Sequence, residues 1–212
     1  MAVIRIGLSG GIGCGKSEAN AVFRSLGAPV VDADEIAREL TAPGRPELDE
    51  IAAAFGAGII GGDGALDRAR LREIIFSDDD ARRRLNAILH PRVRRETEKR
   101  VLALAADNAC CVITAPLLIE AGMSDLADVV VVIDCDEETR VRRIVARDGG
   151  DAAQAKRIIA AQAGAEERLR AADIVIDNRG DREQLRRKIE RLHRKLLENS
   201  AWRGQDLIRR IR

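Results

Sequence analysis

The chain has 212 residues, 46% of them hydrophobic, and its 36 basic and 35 acidic residues leave a net charge of +1. That is apolar material enough for a substantial core in one globular domain, and it argues against a disordered chain. A near-neutral chain with 2% aromatic residues has neither the field nor the stacking surface of a nucleic-acid binder, and no apolar run nears the ~20 residues that cross a bilayer.

The first element is the apolar run Val3 to Leu8, which reads as a strand. It starts without the charged-then-apolar pattern of a leader peptide, so a cytoplasmic location is expected. Directly after it comes Gly10-Gly11-Ile12-Gly13-Cys14-Gly15-Lys16-Ser17, which completes the phosphate-loop pattern G-x-x-x-x-G-K-[ST] in its strand-to-helix setting. Glycines let the backbone close around an anion, and a helix starting near Lys16 points its positive dipole end at the ligand. The ligand expected there is a nucleoside triphosphate, with Lys16 reaching its β- and γ-phosphates and the Ser17 hydroxyl offered to Mg²⁺.

Four more β-branched runs follow: Pro29 to Asp32, Cys111 to Thr114, Val129 to Asp134 and Ile174 to Asp177, alternating with helical patterns. This is the rhythm of an α/β fold with a parallel sheet, and the unbroken apolar run Val129 to Ile133 suits a strand covered on both faces. The strands' carboxyl ends carry the loop, Asp32-Ala33-Asp34, Thr114-Ala115-Pro116 and Asp134-Cys135-Asp136, so the chemistry gathers at one edge.

Residues 35–108 exceed what a simple crossover requires and hold helical stretches at Asp34 to Leu40, Glu47 to Phe55, Asp67 to Phe76, Asp79 to Leu89 and Pro91 to Ala105. A helical substrate-binding insertion is expected there, with His90 at a helix boundary set by Pro91. A second excursion, 140–170, is charged and helical with Gly149-Gly150 as a hinge, which suits a lid carrying Arg143, Arg147 and Arg157 over the triphosphate. The remaining segments, 1–34, 109–139 and 171–200, make the nucleotide-binding core. Leu185, Ile189, Leu192 and Leu196 mark its last amphipathic helix, and 201–212 is a basic tail to which no function is assigned.

A phosphoryl-transfer enzyme must orient its nucleophile and hold Mg²⁺. Asp34 would accept the acceptor hydroxyl's proton if the second strand adjoins the loop strand. Strand alternation puts Asp32 on the same side, where it would hold Mg²⁺ through water, and helix capping is the plain structural alternative for this pair. Cys14, Cys110, Cys111 and Cys135 lack metal-ligand spacing and read as reduced core thiols.

The ordered set Gly7 to Ser17, Val31-Asp32-Ala33-Asp34-Glu35-Ile36-Ala37-Arg38, Leu85 to Pro91, Ala115-Pro116-Leu117-Leu118-Ile119-Glu120, Arg157 to Gln162 and Ala172 to Asn178 resembles the dephospho-coenzyme A kinase family over all but the tail. The resemblance implies a three-layer P-loop kinase fold. It also implies ATP- and Mg²⁺-dependent phosphorylation of the ribose 3′-hydroxyl of dephospho-coenzyme A by a cytoplasmic enzyme, with a monomer as the expected state and no nucleic-acid or membrane partner. The alternative is another small-acceptor kinase, for a nucleoside or nucleoside monophosphate. A GTP switch would need a guanine-reading N-K-x-D segment, which the sequence lacks.

Position by position, the resemblance makes Asp34 the catalytic base, with Lys16 and Arg147 supporting transfer. It makes Gly11, Ile12, Gly13, Cys14, Gly15, Lys16, Ser17, Glu18, Arg143 and Asn178 nucleotide-binding, and Asp34, Arg38, His90, Pro116 and Leu117 acceptor-binding. One departure is Glu18, where the family usually has Thr: its backbone amide remains, but a carboxylate replaces the hydroxyl near the α-phosphate and must turn outward or pair with an arginine.

Overall fold

The computed structural model describes residues 3–115, 118, 122–160, 162 and 165–198. Five parallel strands, β1 (Ile4–Gly10), β2 (Val30–Asp32), β3 (Cys110–Thr114), β4 (Val129–Asp134) and β5 (Ile174–Asp177), form one sheet in the order β2-β3-β1-β4-β5. The helices are α1 (Lys16–Ser25), α2 (Ala33–Leu40), α3 (Pro46–Phe55), α4 (Arg68–Ser77), α5 (Asp79–Leu104), α6 (Glu137–Asp148), α7 (Ala152–Ala160), α8 (Ala165–Arg170) and α9 (Arg182–Glu198). The expected α/β class and parallel sheet are those observed, and none of these helices is long and apolar enough to cross a membrane.

One compact unit comprises the described residues through Val31 and from Arg100 onward; the other is Asp32–Lys99. In the first unit, β1 is central, with Leu8 in register with Thr114 of β3 and Val131 of β4. It runs two residues beyond Leu8 because Ser9 and Gly10 still pair with Val132 and Ile133. Side chains alternate faces along a strand. Ile4, Ile6 and Leu8 therefore join Val129, Val131 and Ile133 in one buried layer with Phe23 of α1 and Leu185, Ile189 and Leu196 of α9. Their alternates Ile113, Val130 and Val132 are buried as well, which is why these strands read as continuous apolar runs. Arg5 is fastened to Asp128, just before β4, by Nη2–Oδ1 and Nε–Oδ2 hydrogen bonds of 2.7 and 3.1 Å, and its own backbone N–H donates to Oδ2 at 2.9 Å.

The sheet order leaves unmet the condition under which strand adjacency alone would bring Asp34 to the loop. β3 lies between β1 and β2, so the strand leading to Asp34 does not adjoin the loop strand.

The second unit has its own core of Ile51, Ile59, Leu71, Leu85 and Ile88. Here α5 corrects a sequence expectation: it runs unbroken through Pro91, so His90 sits inside a helix and not at a boundary. Proline removes one N–H and crowds the preceding turn, at a cost of about 3 kcal/mol. Burial of Leu85, Ile88 and Val93 on either side holds the helix together. Arg92 covers the disturbed turn: its Nη1 donates to the Ile88 carbonyl at 2.5 Å and its Nη2 to Glu50 of α3 at 2.5 Å.

Candidate active site at the phosphate loop

Gly10 ends β1 and Lys16 begins α1, so residues 11–15 form the loop between strand and helix. The N-cap of α1 is Gly15, with φ +101° and no side-chain cap; the first turn of a helix presents N–H groups to an acceptor, and the helix dipole adds positive potential there. Two glycines are demanded by what surrounds them. A Cβ on Gly13 (φ +78°) would lie 3.0 Å from the Arg140 carbonyl oxygen, and a Cβ on Gly15 would run into the Asn178 side-chain amide. Lys16 folds back across the loop, its Nζ donating to the Gly10 carbonyl at 2.5 Å.

The loop is braced from two sides. Asn178, just past β5 and 4% exposed, donates its backbone N–H to the Asp134 carbonyl at 2.7 Å and its Nδ2 to the Cys14 carbonyl at 2.7 Å. α6 presents Arg140, Arg143 and Arg147 at helical spacing, capped at its N-terminus by Asp136, whose carboxylate accepts from the Thr139 N–H at 2.7 Å. Arg140 donates from Nε to the Ile12 carbonyl at 3.0 Å, and Arg143 from Nη2 to the Gly180 carbonyl at 3.1 Å and from Nη1 to the Gly13 carbonyl at 3.5 Å. Arg147 is turned away onto its neighbour Asp148 through two 2.6 Å hydrogen bonds, which raise its pKa. Arg157 is exposed on α7.

Arg140 and Gln162 touch the loop yet carried no role in the sequence reading. The signal for Arg140 was available: it precedes Arg143 by three positions and Arg147 by seven, on one helical face. Gln162 had none beyond its place in a family segment, because its partner is 150 positions away.

All four cysteines are buried free thiols, and no group of His, Cys, Asp and Glu among the described residues has the makings of a metal centre. Cys14 and Cys135 lie Sγ to Sγ at 3.5 Å. Donation from Cys135 and the nearby Arg140 charge lower the Cys14 thiol's pKa, against burial, while the same contact and burial raise that of Cys135. Glu18 is paired outward with Arg182 (Nε–Oε2 3.5 Å), one of the two arrangements that its charge requires near a triphosphate.

In the second unit, Asp32 caps α2, its Oδ1 accepting from the Asp34 and Glu35 N–H groups at 2.9 and 3.4 Å. The chain turns helical at Ala33, so strand alternation does not carry through to Asp34, which stands exposed in the helix's first turn. Arg38 is exposed near the end of α2. His90 is half-buried in α5, and burial lowers its pKa. Pro116, Leu117 and the tail 201–212 lie outside the described residues.

The residues present fit a bound triphosphate. Gly13 and Gly15 leave no room for a side chain, α1 opens without a capping side chain, and an ammonium spans the loop. Ser17 is exposed in the first turn of α1, a hydroxyl donor of the hard-oxygen kind that Mg²⁺ takes.

Comparison with known proteins agrees with this geometry. A dephospho-CoA kinase of Aeromonas hydrophila is 48% identical over 189 residues, covering 89% of this chain and 92% of its own. The crystal structure of TT1252 from Thermus thermophilus superposes with a TM-score of 0.77 at 32% identity, covering 92% of this chain and 99% of that one. The dephospho-CoA kinase from Campylobacter jejuni does so with a TM-score of 0.69 at 27% identity, covering 92% and 98%. The family model for dephospho-CoA kinase matches residues 4–184. A kinase loop braced by α6 and Asn178 and a family match spanning most of the sequence lead to one conclusion: the chain belongs to the dephospho-CoA kinase family, whose members are ATP-using phosphotransferases.

Proposed function

We propose that this chain transfers the γ-phosphoryl group of ATP to the ribose 3′-hydroxyl of dephospho-coenzyme A, giving coenzyme A and ADP, the last step of coenzyme A synthesis. The observation that carries the reading is the glycine loop closed by Lys16 in a chain of this family. The N–H groups at the head of α1 bind phosphate oxygens, and Lys16 exchanges the Gly10 carbonyl for the β- and γ-phosphates. Ser17 would hold Mg²⁺, with Asp32 acting through water, and the ion would supply charge neutralisation at the triphosphate. Asp34, assigned by its position in the family pattern and not by strand adjacency, takes the proton from the attacking hydroxyl. Arg38, His90, Pro116 and Leu117 hold the acceptor. Arg143 and Arg147 stabilise charge on the migrating group, Arg147 after exchanging Asp148 for phosphate oxygen. Asn178 serves the nucleotide by holding the loop. The enzyme works as a cytoplasmic monomer.

Asp34→Asn tests the assignment of the base. It is expected to lower kcat by roughly 10²-fold or more while ATP binding, read by calorimetry, stays within about twofold. Full turnover by the variant would remove Asp34 from the reaction.

A further inference from the structure

Ile12 is held in three ways. Its N–H donates to Gln162 Oε1 at 2.7 Å, its carbonyl accepts from Arg140 Nε at 3.0 Å, and its side chain packs on Ile144, Ala155 and Ile159 of α6 and α7. The two gripping side chains are joined to each other, Arg140 Nη2 donating to Gln162 Oε1 at 3.3 Å. Arg140 is 8% exposed, and no carboxylate among the described residues pairs with it. A buried guanidinium without an acid partner is costly, and here its hydrogen bonds go to the loop carbonyl and to the amide that holds the same residue.

We propose that Gln162 and Arg140 are positioning residues of the phosphate loop: together they hold Ile12 by its N–H and its carbonyl and so fix the loop conformation that receives the triphosphate. The loop's inner glycines leave its backbone little conformational preference of its own, so an outside grip must select among the conformations open to it. With the grip in place the loop is pre-organised and ATP binding does not have to order it. Neither side chain needs to touch the nucleotide, and the acceptor site is not involved. This inference rests on the reading of the loop as the ATP site.

The test measures ATP binding by calorimetry and both Michaelis constants in a coupled assay, on wild type, Gln162→Ala, Gln162→Glu, Arg140→Met and the Gln162→Ala/Arg140→Met double variant. Failure of the wild type to bind ATP would count against the loop reading itself; the remaining outcomes bear on the grip. Gln162→Ala is expected to weaken ATP binding and raise its KM by roughly tenfold, the worth of a lost hydrogen bond, with the KM for dephospho-coenzyme A unchanged. Glutamate still accepts from both donors, so Gln162→Glu is expected to restore most of the affinity. Were Gln162 a direct phosphate contact, Glu would bind ATP worse than Ala, and the proposal would fall. The double variant is expected to lose less than the sum of the single losses, because both side chains hold one residue and are bonded to each other; additive losses or an unaffected Gln162→Ala would also overturn it. If the variants do not fold, hydrogen exchange on the nucleotide-free wild type decides: the Ile12 amide is expected to be protected, and free exchange there would refute the grip.

Discussion

Asn178 Nδ2 donates a 2.7 Å hydrogen bond to the carbonyl of Cys14, joining the end of β5 to the phosphate loop across 164 positions of sequence. The bond is buried, and the amide occupies the space into which a side chain at position 15 would project. One interaction therefore sets the shape of the loop's last turn and explains the glycine there.

Asn178→Ala is expected to leave the Cys14 carbonyl unpaired, costing about 1–3 kcal/mol of stability and raising the KM for ATP more than that for the acceptor. Urea unfolding and steady-state kinetics check this. Asn178→Asp should do worse, since it sets an acceptor against an acceptor.

Glu18 and Arg182 form a solvent-exposed pair with side chains 39% and 87% exposed, so the pair itself contributes little to stability. On the reading of the loop as the ATP site, the pairing would draw a carboxylate away from the triphosphate. Arg182→Ala is expected to raise the KM for ATP by about two- to fivefold at low salt and less at high salt, where the liberated charge is screened. Glu18→Thr should lower that KM. Equal values for all three proteins would mean that the Glu18 charge is not felt at the nucleotide.

His193 of α9 meets Phe23 edge to face at 6.3 Å between ring centroids, with Nε2 3.4 Å from Cys110 Sγ. Burial lowers its pKa and that of His90 below the ordinary 6.5. The sign follows by linkage: below 6.5 the unfolded chain takes up these protons before the folded one does, so the stability present above 6.5 is lost as pH falls toward the folded values. Chemical unfolding across this window should show a falling free energy, and His193→Asn should flatten part of the slope. An unchanged slope in His193→Asn would contradict a buried, neutral His193.

The strands were legible because each is an apolar run short enough to be nothing else: Val129 to Asp134 reads and folds with the same limits. The loop was legible because its chemistry is local. Pro91 was misread because proline ends a helix by local rules, whereas here Leu85, Ile88 and Val93 are buried on both sides of it and override those rules. The place of β2 could not be read, since neighbour order in a parallel sheet is set by crossovers and not by strand residues. Gln162 belongs to the same class, its partner lying 150 positions away, whereas helical spacing placed Arg140 on the face of Arg143 and Arg147 but could not show that it is buried against the Ile12 carbonyl 128 positions away.

The central claim is most directly tested by incubating the purified protein with ATP, Mg²⁺ and a panel of dephospho-coenzyme A, nucleosides and nucleoside monophosphates, and identifying the products by mass spectrometry. The account predicts one phosphoryl group added to the ribose 3′-oxygen of dephospho-coenzyme A with equimolar ADP, and loss of that product in Lys16→Ala. Folded protein that leaves dephospho-coenzyme A unmodified, or that phosphorylates a nucleoside or nucleoside monophosphate in preference to it, would contradict the account.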